Sequence, residues 1–361
     1  VEFKFSTEKD QHFWCGIASL SCRSMALNMI VLVMLASFSR VVAFQLPAGE
    51  AVANSRISHL DSGSLRGAQR NQGAGFVGVS ASSGCLRGIA AFAVAAAMLA
   101  SHTARQARKP VVGGNWKCNP DSMSKLDGLV ANINACDTSQ CDVYFCPSPL
   151  HVAYCADKMT NGAKCTPQNC NFTGCGAYTG EMSVEQMKDL GISQVLIGHS
   201  ERRGEFGIFP MDDNNSLATK LKYIQDAGMS CVYCIGEPLS IREKGLEEVI
   251  AEMHVQLTPI YSLLDPSNVV IAYEPVWAIG TGVTATPEDA QATHKGIRDL
   301  IAEHASAEVA EGIRIQYGGS ANAANAPDLS AQPDIDGFLV GGASLKPEFK
   351  EIVAAISKAK A

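Results

Sequence analysis

A closed (β/α)8 barrel over residues 110–361, preceded by a targeting leader outside the domain, is the fold class this sequence predicts. Three observations predict it. After Pro110, eight short apolar runs recur, each closed by Gly, Pro, Asn or Ser, and amphipathic stretches separate them. The 252 residues from 110 to 361 also match the roughly 250 that one such barrel takes. Strands alternating with helices imply a parallel sheet. Periodicity alone leaves an open doubly wound sheet as the alternative, but no G-x-G-x-x-G follows the first run.

In chain order, the spacing predicts strands over Val111–Gly114 and Val143–Cys146, a weak third over Ala163–Gln168, and then Gln194–Ile197 and Cys231–Ile235. Val269–Tyr273, Ile313–Tyr317 and Gly337–Val340 complete the eight. Between them, Leu126, Leu129, Val130 and Ile133, and again Leu246, Val249, Ile250 and Met253, recur at i, i+3, i+4, i+7, the spacing of one helix face.

Charge separates the two parts of the chain. Residues 110–361 hold 18 Lys and Arg against 31 Asp and Glu, net −13, whereas residues 1–109 hold 11 against 5, net +6; together these make the overall −7. So acidic a barrel offers no footprint for nucleic acid. Thirteen cysteines are an odd number in a chain long enough to build a core without staples, so reduced thiols are expected. Cys231 and Cys234 form a C-x-x-C, but positions three apart on a strand face opposite sides, which argues against a metal or redox pair.

The leader divides further. Met25 to Ala36 is almost wholly apolar and is followed by Arg40 and the small residues Val41, Val42 and Ala43, a signal-like stretch over 25–43 with cleavage expected after Ala43. Only Arg23 precedes the apolar run, and Val1 is no natural initiator, so translation is expected to start at Met25 or further upstream. Residues 44–109 have transit-peptide composition: rich in Ser, Ala and Gly, with seven basic residues against Glu50 and Asp61. With Phe44 at the presumed new terminus and a second apolar run from Gly88 to Ala100, the whole resembles the bipartite leaders of algal plastids, the alternative being the cytosol if the leader is not used. Neither apolar run reaches the roughly 20 residues that spanning a bilayer takes.

In barrels of this kind the chemistry sits in the loops that follow the strands. The first strand runs into Gly113-Gly114-Asn115-Trp116-Lys117, placing an amide and an ammonium on alternate positions at the barrel mouth, where a cation suits an anionic substrate. The fourth ends in Gly198-His199-Ser200-Glu201-Arg202-Arg203. With Ser200 as helix N-cap, His199 would lie where helix N–H dipoles keep an imidazole neutral and able to donate to a carbonyl, unless it is only a capping residue paired with Glu201. After the sixth, Tyr273-Glu274-Pro275-Val276-Trp277-Ala278-Ile279-Gly280-Thr281-Gly282 sets a carboxylate at the strand end before a loop that looks like a hinged lid; its closure would exclude water and strengthen the base. The seventh and eighth end in Tyr317-Gly318-Gly319-Ser320 and Gly341-Gly342-Ala343-Ser344, paired glycines whose backbone N–H groups can approach an anion.

Taken together, these strings resemble the triosephosphate isomerase family in order and spacing across residues 110–361. The resemblance implies a TIM barrel and an isomerase of glycolysis and gluconeogenesis that interconverts dihydroxyacetone phosphate and glyceraldehyde 3-phosphate. Glu274 would be the base, His199 the electrophile, and Asn115 and Lys117 the stabilisers of the developing oxyanion. Gly280, Ser320, Gly341 and Gly342 would hold the phosphate, and Glu201 and Cys234 would support the site. No metal or organic cofactor is implied. Another sugar-phosphate isomerase on the same fold is the rival, against which Lys117, His199 and Glu274 stand together. A homodimer is also implied: Asn169–Glu181 is a nearly uncharged loop with three glycines and two aromatics, and Gly176-Ala177-Tyr178-Thr179-Gly180-Glu181 resembles the family's loop that inserts into the neighbouring subunit. The chain departs from the family's pattern at Gly204-Glu205-Phe206-Gly207-Ile208, at Phe209-Pro210-Met211, and at Gly282-Val283 where Lys is common.

Overall fold

The computed structural model describes residues 108–204, 211–279 and 284–361; the leader, apart from its last two residues, lies outside them. Eight parallel strands form one sheet: β1 Val111–Asn115, β2 Asp142–Cys146, β3 Lys164–Cys165, β4 Gln194–Ile197, β5 Ser230–Ile235, β6 Val269–Tyr273, β7 Arg314–Tyr317 and β8 Gly337–Val340. The hydrogen-bonded order is β3-β2-β1-β8-β7-β6-β5-β4, so the first strand pairs with the last and the sheet curls into a nearly closed barrel. The open doubly wound alternative is thereby excluded.

Expected and observed strands coincide within a residue or two at each end, except at β3, which shrinks to Lys164–Cys165. Pro167 has no N–H to donate, so the ladder cannot run on. Its carbonyl is still used: Leu196 N–H of β4 donates to it at 2.9 Å, closing the seam between the two end strands.

Helices α1 Leu126–Asn134, α2 Val152–Asp157, α3 Val184–Asp189, α4 Asn214–Asp226, α5 Leu239–Arg242, α6 Leu246–Leu257, α7 Pro287–His304, α8 Ala307–Gly312, α9 Ala326–Ser330 and α10 Phe349–Lys360 cover the strands. Their starts follow capping chemistry. Ser183 and Gln186 form a capping box at α3, and Thr286 accepts the Asp289 N–H ahead of Pro287, the first residue of α7. The expected helix faces are buried at Leu126, Val130 and Ile133 and at Val249 and Met253, whereas Leu246, in the first turn of α6, stays exposed.

Because side chains alternate along a strand, the core has two layers. Val111, Tyr144, Cys146, Leu196, Val232, Cys234, Val270, Ala272 and Leu339 fill the barrel interior. Cys231, Tyr233, Ile235, Ile271 and Ile315 face the helices. Cys231 and Cys234 thus lie on opposite faces, and the ten described cysteines are free thiols. Glycine is required where the interior is tightest: a Cβ on Gly113 would stand 2.0 Å from the Tyr144 ring.

The last two residues of the expected leader are fastened to the base of the barrel. Arg108 is buried; its Nε donates to Asp336 Oδ1 at 2.8 Å and its Nη1 to the Glu311 carbonyl at 2.8 Å. Asp336 is shared with Arg298, whose Nη2 lies 2.7 Å from Oδ2. Lys109 Nζ pairs with Asp142 at 2.8 Å.

Candidate active site

The carboxyl ends of β1, β4, β6, β7 and β8 converge on one cavity of about 620 Å3, lined by Asn115, Lys117, His199, Glu274, Ser320, Gly341 and Gly342. Seven of the residues singled out by strand-end reasoning therefore share one space. Gly280 lies outside the described residues, as do Gly282-Val283 and Glu205 to Pro210.

At the end of β1, the backbone turns sharply. Trp116 is fully buried with its ring tilted against Phe145 at 4.9 Å, which anchors the turn. Lys117 then takes φ +54°, a left-handed conformation rare outside glycine, and its N–H donates to Asn115 Oδ1 at 2.9 Å. The Lys117 carbonyl accepts from Gln168 Nε2 at 2.8 Å, and the same amide group donates to the Cys146 carbonyl at 2.9 Å. Gln168 thus holds the strained residue to β2. Lys117 Nζ pairs with Glu201 Oε1 at 2.8 Å.

After β4, His199 itself is the N-cap of a 3-10 turn, Ser200–Arg202, where Ser200 is expected to be the cap. The reason is reach: the imidazole Nδ1 accepts the Glu201 backbone N–H at 3.1 Å, filling the role a serine oxygen would otherwise take. A ring nitrogen that accepts from an amide carries no proton, so the neutral ring keeps its proton on Nε2. Nε2 lies 3.0 Å from Glu274 Oε1. The Glu201 carboxylate is 3.7 Å from Nδ1, farther than from Lys117, so its closer partner is the lysine.

Glu274 follows β6 and is buried. Its Oε2 accepts the Ser200 N–H at 3.1 Å, and its own N–H donates to the Ile235 carbonyl at 2.7 Å. Cys234 stands in register with Ala272 and is enclosed in the barrel interior, where burial pushes its thiol far above the usual range, with the nearby Glu274 charge adding to the shift. It fills space in the barrel interior. The Cys234 carbonyl accepts from Arg203 Nη2 at 2.8 Å, and Arg203 Nε donates to the Gly198 carbonyl at 2.7 Å, tying the ends of β4 and β5 together.

On the opposite wall, Ser320 Oγ donates to the Ala278 carbonyl at 2.7 Å. Gly341 precedes the 3-10 turn Gly342–Leu345, and a Cβ at Gly342 would meet nothing within 4 Å, so its backbone borders open space. Within this turn Ser344 Oγ donates back to the Gly341 carbonyl at 2.7 Å.

Two further polar residues at strand ends belong to the surroundings of the site. Gln168 lies just past β3, where no sequence pattern marks it, and Glu237 lies just past β5, where the same strand-end rule would have found it. Glu237 is fully buried and its Oε1 takes the Trp277 indole N–H at 2.9 Å and the Tyr273 hydroxyl at 3.1 Å. Burial holds its carboxyl above the usual range, opposed by those two donors. Tyr178 and Thr179 are exposed and lie apart from the cavity. One departure from the family's pattern has a packing reason: Gly204 has φ +101°, and a Cβ there would stand 2.3 Å from Met211 Sδ, so the unusual methionine goes with the glycine.

The model of the family described as triosephosphate isomerase matches residues 110–356. Triosephosphate isomerase of Taenia solium is 46% identical over 251 residues, covering 69% of this chain and 98% of that relative. The enzyme of Coprinopsis cinerea is 45% identical over 68% of this chain and 96% of its own length, and the cytosolic enzyme of Oryza sativa subsp. japonica 42% over 68% and 96%. The chain belongs to the triosephosphate isomerase family.

Proposed function

We infer that this chain interconverts dihydroxyacetone phosphate and glyceraldehyde 3-phosphate with its own side chains, Glu274 acting as base and His199 as electrophile. The observation that carries the assignment of roles is the contact of His199 Nε2 with Glu274 Oε1 at 3.0 Å, beside the Lys117 ammonium, in one cavity with the paired glycines. In this resting arrangement the imidazole proton points at the carboxylate. A substrate carbonyl entering between them takes over that proton donor and leaves Oε1 free to face the adjacent carbon. Glu274 then removes the carbon-bound proton, giving an enediolate. His199 passes protons between the two oxygens, and Glu274 returns its proton to the neighbouring carbon. The Lys117 ammonium, with Asn115 beside it, balances the developing oxyanion.

Backbone N–H groups at Gly341 and Gly342, with Ser320 and Gly280, suit the phosphate dianion. Water exclusion matters because an exposed enediolate eliminates phosphate. The test is turnover: glyceraldehyde 3-phosphate consumption in a coupled assay, set beside Glu274→Gln and His199→Ala. Absence of turnover by the parent chain would remove the reading.

We further propose a homodimer. Exposed Phe172, Tyr178, Leu150 and Leu190 and an apolar groove of about 570 Å3 bordered by Pro149, Val152, Met182 and Met187 support a second copy on this face, with Thr179 helping to fix Asn115 and Lys117 of its neighbour. The domain is proposed to start at or before Arg108, since Arg108 and Lys109 pair with it. A plastid address for the leader rests on its composition; a reporter fused to residues 25–109 that stays cytosolic in an algal host would refute it. Among the described residues no helix is long and apolar enough to cross a membrane.

A further inference from the structure

Among the described residues, Glu274 alone lines both the substrate cavity and a second cavity of about 440 Å3. Its two oxygens have different partners: Oε1 meets His199, a residue of the substrate cavity, and Oε2 meets the N–H of Ser200, a residue of the second cavity. That cavity has polar walls, with Arg203, Asp212, Asn214 and Glu252 among them, and exposed Ser240 at its rim. It is large enough for several water molecules. The Ser200 hydroxyl is buried and has no hydrogen-bond partner in the described protein. A buried hydroxyl in a roomy polar cavity is normally satisfied by water.

We propose that the second cavity is a water-filled proton exit for Glu274, running past the Ser200 hydroxyl to the surface at Ser240. The proposal rests on the reading of Glu274 as base. When the substrate C–H bond breaks, its electron pair stays on the enediolate and its proton forms an O–H bond on Glu274. The acid so formed has two fates. It returns the same proton to the neighbouring carbon, or it gives that proton to a water of the second cavity and takes another back. In the second fate one O–H bond breaks and another forms, nothing is oxidised or reduced, and the enediolate is untouched. Because this water lies in a separate cavity, the exchange does not require the substrate cavity to admit bulk water.

The test runs the full chain in D2O with glyceraldehyde 3-phosphate and reads, by proton NMR, the deuterium at the newly protonated carbon of dihydroxyacetone phosphate. Ser200→Ala removes the hydroxyl relay, and Ser240→Phe narrows the rim without touching a reacting group. Each is expected to lower the ratio of deuterated to undeuterated product several-fold, and Ser240→Phe is expected to do so at the parent kcat. The ratio is independent of how much enzyme is folded, so loss of folded protein alone does not move it. An unchanged or raised ratio in Ser240→Phe overturns the proposal, whatever Ser200→Ala does. Glu274→Gln run alongside keeps the two claims apart: surviving activity removes the base itself, whereas lost activity with an unmoved ratio in the serine variants removes only the exit.

Discussion

Both oxygens of the Glu274 carboxylate are engaged in the resting site, by His199 and by the Ser200 N–H, and its side chain lies against the backbone of the neighbouring strand end. Glu274→Gln keeps the size and removes the base, so kcat is expected to fall by several powers of ten while inhibition by a phosphate ligand persists. A variant retaining a tenth of the parent rate would end the assignment. Gly318 makes a finer test. A Cβ there would stand 2.8 Å from Glu274 Cγ and 3.1 Å from the Tyr273 carbonyl, so Gly318→Ala must push the carboxylate aside. A displacement of that order is expected to lower kcat by roughly a hundredfold, with a far smaller change in the thermal midpoint. The residues of the site that carry charge were legible as strings at strand ends. Gln168 was not, because an isolated glutamine after a weak strand has no pattern, and its role appears only when β1 and β3 are brought together around Lys117.

At the scale of elements, Arg108 and Lys109, leading into β1, are paired with residues of the barrel. Removing residues 1–107 is expected to leave a stable, active enzyme, whereas removing 1–109 strips Arg108 from Asp336 and Lys109 from Asp142. Breaking a buried pair costs about 3–5 kcal/mol, and this one is expected at the low end because Arg298 still holds Asp336. Urea unfolding of the two truncations measures the difference. Near the same ion pairs, His294 on α7 is fully buried, with Nδ1 3.3 Å from the Asp334 carbonyl, and burial pushes it down to about 4 from 6.5. The unfolded chain therefore binds more protons between those values, so stability present above about 6.5 is lost as pH falls toward about 4, by up to about 3 kcal/mol. Buried Glu237, raised by its own burial, favours the opposite trend. His294→Asn should flatten the decline in unfolding midpoint between pH 6.5 and 4; an equally steep fall would assign it to other groups. The strands were readable from apolar runs because both faces of each are covered. The end of β3 was not, since Pro167 looks like part of the run yet cannot extend the ladder, and of the two caps the sequence offered at the end of β4, Ser200 and His199, the structure uses the histidine.

For the whole molecule, the exposed apolar side chains around Tyr178 and Thr179 set the expected assembly. Tyr178→Arg with Thr179→Arg is expected to yield monomers of low activity, since each new charge would have to be desolvated at the contact. Sedimentation that still reports a dimer, or a monomer working at the parent rate, would disconnect the loop from the site. The barrel has its own closing point. Between β3 and β4 the circle is joined by Leu196 N–H on the Pro167 carbonyl at 2.9 Å, backed by Thr166 Oγ1 on Gln194 Oε1 at 3.3 Å, where other neighbours share longer ladders. So thin a join should behave as a clasp that springs before the rest of the hoop. In hydrogen–deuterium exchange the Leu196 amide should trade its proton well ahead of the Val232 and Ile271 amides, through openings that cost less than global unfolding. His199 lies only three residues beyond that clasp, so each such opening also loosens the imidazole from its place opposite Lys117.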